Sequence, residues 1–213
     1  MKKKALLYGS LFIAMICGFF VFIFWGNDLW KAKLPVMSYV QPFSFTDQRG
    51  LNITQGDVNG KVYVAEYFFT TCKGICPKMN TNLKAVYDKY LDRDDLLILS
   101  HSVDPETDSV ERLKFYADSL GVKAGKWIFL TGRKDSLYHA ARVSYLLDDP
   151  ENSKQQITEQ FIHTQFFALV DRLGRVRGIY DGLKKDELNK LTKDIDEVLK
   201  EKGGSNFVNS IFN

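Results

Sequence analysis

The chain has 213 residues, 45% apolar and 14% aromatic, enough for one well-buried domain beside a short N-terminal segment. Its 29 Lys+Arg face 26 Asp+Glu for a net charge of +3, and Lys2, Lys3 and Lys4 account for the whole excess. The remainder is balanced and has no basic stripe with interleaved aromatics, which argues against nucleic acid, and three cysteines are too few for a disulfide-stapled scaffold.

Residues 1–4 are predicted to be a cytoplasmic stub. The uncharged run 5–25 is long enough to cross a bilayer, and Gly26-Asn27-Asp28 offers no small-x-small cleavage site, so a single uncleaved transmembrane helix is expected. Trp25 and Trp30 suit a membrane interface. The lysines should stay cytoplasmic, which places the folded part across the membrane. The Lys-rich, Ser-poor start is bacterial in character, so the expected location is a bacterial inner membrane with the domain in the oxidising periplasm.

Residues 26–41 read as a linker, and the folded domain is expected over 42–202. Phe43-Ser44-Phe45-Thr46 and Leu51-Asn52-Ile53-Thr54 alternate about the turn signal Asp47-Gln48-Arg49-Gly50, predicting a hairpin. The stretch 61–69 is β-branched and aromatic, the pattern of a strand buried on both faces. Thr70-Thr71-Cys72-Lys73-Gly74-Ile75-Cys76-Pro77 follows it. Pro77 suits a helix start, and Met79, Leu83, Val86, Tyr87 and Tyr90 keep helical spacing to about residue 91. A second strand, 96–100, runs into His101-Ser102-Val103-Asp104-Pro105. Asp108 and Glu111 have capping-box spacing before a helix that Gly121 closes. Residues 127–130 make a third strand, 136–146 a helix, and 148–160 a polar surface loop. A second hairpin turns at Asp171-Arg172-Leu173-Gly174-Arg175, and Leu188, Leu191, Ile195, Val198 and Leu199 mark an amphipathic last helix. The tail 203–213 is expected to be flexible. A hairpin, then β-α-β-α-β-α, then a hairpin and a helix predict an α/β domain of thioredoxin-like architecture, with parallel strands at its centre.

Cys17 lies within the apolar run, so the domain owns only Cys72 and Cys76, in a strand-to-helix turn. Free backbone N–H groups at a helix start stabilise thiolate, which serves both redox chemistry and metal binding. Three residues separate the two cysteines, which spreads the sulfurs and leaves room for a soft ion such as Cu(I) or zinc. Two ligands seldom close a site, so a third donor is sought among three histidines. His139 reads as an ordinary helical residue. His101 is undecided. His163 stands between the polar loop and the hairpin, where it could face the cysteine turn.

Three stretches together resemble the Sco/SenC family: Thr71 to Pro77, Ser102-Val103-Asp104-Pro105-Glu106-Thr107-Asp108, and His163 ahead of Phe166-Phe167-Ala168-Leu169-Val170-Asp171. Tyr180-Asp181-Gly182 is similar to that family's turn before its last helix. The resemblance spans roughly residues 42–199. It implies a membrane-anchored, thioredoxin-like copper chaperone for the dinuclear copper centre of cytochrome c oxidase, with Cys72, Cys76 and His163 as copper ligands, the choice between Cu(I) and Cu(II) staying open. The implied partners are the copper-receiving oxidase subunit and a thiol reductant or upstream copper donor. Many members carry Pro-Asp where this chain has Lys73-Gly74. A cation there favours thiolate and bears on partner docking and on redox work. The rival reading is a membrane-tethered thiol-disulfide oxidoreductase, with Cys72 attacking and Cys76 resolving, so enzyme activity stays open. Intact Cys72, Cys76 and His163 argue against a mere interaction module.

Overall fold

The computed structural model describes residues 2–24, 34–154, 156–158, 160–162 and 164–201. The chain divides into two units between Lys33 and Leu34. The first holds α1 (Lys2–Phe24), whose Leu11, Phe12, Phe19 and Phe22 side chains are exposed. Among the described residues no helix is long and apolar enough to cross a membrane. Trp25, Trp30 and the tail 203–213 lie outside the described residues.

The second unit is built on one eight-stranded sheet. Its elements are β1 (Ser38–Tyr39), β2 (Ser44–Asp47), β3 (Asn52–Thr54), α2 (Gln55–Val58), β4 (Val62–Phe68), α3 (Cys76–Lys89), β5 (Leu96–Ser102), α4 (Val110–Leu120), β6 (Trp127–Thr131), α5 (Lys134–His139), β7 (Phe166–Val170), β8 (Arg175–Asp181) and α6 (Lys185–Lys200). The sheet order is β1-β8-β7-β4-β5-β6-β2-β3. The centre β4-β5-β6 is parallel, and β7 joins β4 antiparallel. The expected first hairpin is β2-β3, with Phe45 opposite Ile53. The second is β7-β8, where Gly174 takes φ +70 in the turn.

Period-two alternation divides the core in two. Val62, Val64 and Phe68 face α3, α4 and α6, meeting Met79, Leu83, Leu113, Leu191 and Ile195. Tyr63, Ala65 and Tyr67 face the other way, toward Leu137, Tyr138, Ala141 and Tyr145.

Three expectations are corrected. Residues 34–41, expected as linker, already belong to the domain: β1 pairs with β8, and Arg177 Nη2 donates to Leu34 O at 2.7 Å. The helix expected over 136–146 is α5 followed by a π-helical turn, Ala140–Ser144, which accepts the Ser38 hydroxyl on Ser144 O. The cap of α4 is Ser109, whose Oγ accepts from Arg112 N, with Asp108 buried outside the helix.

Candidate metal centre

All seven residues of β4 are buried, and its pairing to β5 runs out at Phe68 and Ser102. Cys72 N then donates to Phe69 O at 3.2 Å, and the chain turns into α3, which begins at Cys76 with Pro77 in its first turn. A helix start leaves N–H groups without intrahelical partners beside the two sulfurs. Cys72 is half-buried and Cys76 buried. Both are free thiols, and their side chains hydrogen-bond to each other.

The two sulfurs are driven apart in acidity. Burial acts to raise Cys72, but the Cys76 thiol and the N–H groups of Cys76, Gly74 and Ile75 outweigh it, so the net displacement is downward. Cys76 is pushed up to about 12, first by burial, then by its bond to Cys72 and by the charges of Cys72 and Glu66, against an opposing Phe69 backbone bond. The outer sulfur ionises more readily than the inner one, which holds its proton.

Both sulfurs line a cleft of about 530 Å³, walled also by Tyr67, Val103, Ile162 and Thr164. His163 lies outside the described residues; the residues on either side of it line the cleft. Gly182 N donates to Gln165 O at 2.8 Å, Gln165 Nε2 to Asp181 Oδ2 at 2.7 Å, and Asn82 Nδ2 to Gly182 O at 2.7 Å. These bonds fasten the segment entering β7 to α3, through the Tyr180-Asp181-Gly182 turn. Among the described residues no three His, Cys, Asp or Glu side chains gather into a metal-holding group.

His101 is fully buried on the sheet face opposite α3, stacked on Tyr67 at 4.9 Å and edge-on to Phe45, with burial depressing its imidazole to about 4. It is a core histidine, held neutral. His139 closes α5 and is exposed. Lys73 and Gly74 are exposed at the lip of the cleft.

Two carboxyls beneath the turn are buried: Glu66, which the sequence reading gave no role, and Asp108, which it placed at a helix start. Glu66, on β4, faces α3. Ser100 Oγ donates to its Oε1 and receives Trp127 Nε1 at 2.7 Å. With its amide turned to suit both neighbours, Asn80 donates to Glu66 at 2.8 Å and accepts from the Tyr116 hydroxyl at 2.7 Å. Burial pushes Glu66 up to about 8, against the Ser100 bond, so the site has a neutral floor near pH 7. The other carboxyl, Asp108, accepts from Ser102 Oγ at 2.6 Å and from Thr70 Oγ1 at 2.5 Å. The available signal for Glu66 was one acidic residue inside an otherwise apolar strand; Asp108 showed only capping-box spacing and its place in the Ser102-to-Asp108 motif.

The family model described as SCO1/SenC matches residues 32–200. The SCO1 protein homolog of Bacillus subtilis (strain 168) is 32% identical over 169 residues, covering 78% of this chain and 85% of that protein. The solved structure of BsSco, a member of the Sco family of cytochrome c oxidase assembly proteins with a disulfide switch, matches with a TM-score of 0.67 and 28% identity over 80% of this chain and all of that one. Arabidopsis thaliana ScoI, solved with copper bound, shares the fold with a TM-score of 0.58 and 23% identity, over 75% of this chain and 99% of that one.

Proposed function

The chain belongs to the SCO1/SenC family, and from that premise we propose that it carries copper for assembly of the dinuclear copper centre of a cytochrome c oxidase subunit. The ligands in this reading are Cys72, Cys76 and His163. One observation carries it: two thiols of opposite protonation tendency share a single cleft whose wall includes the residues on both sides of position 163. Thiolates with one imidazole suit Cu(I).

Copper is cargo here. Cys72, the less buried and more readily ionised thiol, meets it first. Cys76 releases its proton as it becomes the second ligand, and the protonated Glu66 beneath spares the site a third negative charge. The half-buried position of Cys72 leaves the ion open to displacement by a partner's ligands. The cysteines must be reduced before loading, since a disulfide cannot act as two thiolates, so a thiol reductant or an upstream copper donor is an expected partner.

The split acidity also favours a second reading, thiol-disulfide exchange. Cys72 thiolate attacks a partner disulfide and releases one partner thiolate. Cys76 then loses its proton and attacks Cys72, releasing the second thiolate and leaving the Cys72–Cys76 disulfide; the partner gains the two electrons.

The same proposal keeps residues 5–25 as the membrane anchor, supported by their uncharged sequence and the exposed apolar side chains of α1. The domain then stands in the periplasm of a bacterium. A C-terminal reporter active only outside the cytoplasm is the expected result; activity only inside overturns this topology.

The deciding experiment is a Cu(I) titration of the reduced domain from Leu34, with Cys72→Ala and His163→Ala beside it. One tightly bound equivalent, weakened by either change, supports the carrier. Weak binding that His163→Ala leaves unaltered removes it, and the Cys72–Cys76 reduction potential becomes the next measurement.

A further inference from the structure

We infer that Asp108 is the positioning residue of the cysteine loop: its buried carboxylate clamps Thr70 and thereby sets where β4 stops and where Cys72 stands. This deepens the copper-carrier reading and rests on it for the copper readout alone.

Asp108 is fully buried, and α4 does not use it, because Ser109 is the cap. A buried carboxylate costs several kcal/mol unless its lone pairs are filled. Here they are filled chiefly by the loop. Thr70 Oγ1 donates to Oδ1 at 2.5 Å, and Thr70 N straddles both oxygens at 3.2 and 3.3 Å. Ser102 Oγ, at the end of β5, donates to Oδ2 at 2.6 Å. Among the described residues no Lys or Arg pairs with Asp108 directly; Arg112 Nε donates instead to Thr70 Oγ1 at 2.7 Å, holding the hydroxyl from the other side.

The place of these bonds gives them their effect. The last rung of the strand is Val103 N to Phe68 O, 2.9 Å, and Thr70 N–H points beyond the ladder. Asp108 supplies the acceptor that the sheet no longer offers. Cys72 stands two residues on, in the turn that its own N–H closes by donating to Phe69 O at 3.2 Å. If Thr70 swings free, that turn loses its anchor to the sheet. Asparagine has nearly the same shape but sets an NH2 where one of these donors points, so it cannot accept from all three.

The test is amide hydrogen exchange on the full reduced chain, comparing Asp108→Asn, Thr70→Val and the double variant with wild type. The expected result for Asp108→Asn is about tenfold or greater acceleration confined to residues 70–76, with β5 and β6 unchanged. Cu(I) should be lost to a competing chelator about tenfold more readily, and the double variant should be no worse than Asp108→Asn, because both substitutions break one linkage. If Asp108→Asn does not fold, Thr70→Val carries the same comparison. Unchanged exchange at 70–76, or acceleration spread over the whole sheet, overturns the inference. Wild-type protein that takes up no copper refutes the carrier function, and the exchange pattern then decides the clamp by itself.

Discussion

Glu66 should control how the stability of this domain responds to alkali. Burial raises its carboxyl from 4.5 to about 8. Between those values the folded chain keeps the proton and the unfolded chain has lost it. The unfolded state therefore binds fewer protons, and stability falls as pH rises, by about 1.4 kcal/mol per unit. His101 has the opposite sign: burial lowers it from 6.5 to about 4, so the unfolded chain takes a proton there that the folded chain refuses, and stability falls as pH drops through that interval. The two slopes oppose each other between pH 4.5 and 6.5. From pH 6.5 to about 8 Glu66 acts without His101, and the loss from this group is about 2 kcal/mol. Glu66→Gln keeps the shape and an oxygen for Ser100 and has nothing to titrate. The assay is urea unfolding of the reduced domain at several pH values across this window, in a Cys72→Ala background, because the lowered Cys72 thiol contributes with the opposite sign near the upper end. The glutamate chain should lose about 2 kcal/mol relative to the glutamine chain. Equal slopes for the two chains would refute the reasoning.

At pH 7 iodoacetamide should modify Cys72 at least about tenfold faster than Cys76, read by mass spectrometry of the digested domain; equal rates would contradict the split acidity. Arg177 is buried, and its guanidinium holds Asp171 at 2.8 Å, Glu201 at 2.7 Å and the Leu34 carbonyl. Arg177→Ala should cost about 3–5 kcal/mol by leaving Asp171 buried with one partner fewer, lowering Tm by about 10 °C in calorimetry. A Cβ on Gly182 would stand 2.6 Å from Phe167 Cζ and 2.9 Å from Gln165 O. Gly182→Ala should therefore displace residues 164–167, and Cu(I) retention should fall with it even where circular dichroism stays native.

Much of this architecture could be read locally. The β-branched and aromatic run at Val62–Phe68, the helix start marked by Pro77, the left-handed turn at Gly174 and the stripe of Leu191, Ile195 and Val198 each depend on residues close in sequence. The cysteine pair was legible for the same reason, since strand, turn and helix start are contiguous. What the tertiary structure decided depends on partners far apart in the chain. The neutral state of Glu66 follows from burial under α3 and α4, with Ser100 and Asn80 arriving from β5 and α3. The sheet face, which only strand pairing sets, turned His101 away from α3 and into the aromatic core. Asp108 carries the spacing of a helix cap, yet Ser109 takes that place because the Asp108 carboxylate is held 38 residues back in the chain by Thr70. Sequence by itself determined which chemistry the loop could perform; the fold determined the protonation of each sulfur, because that depends on the N–H groups and buried carboxyl brought around it.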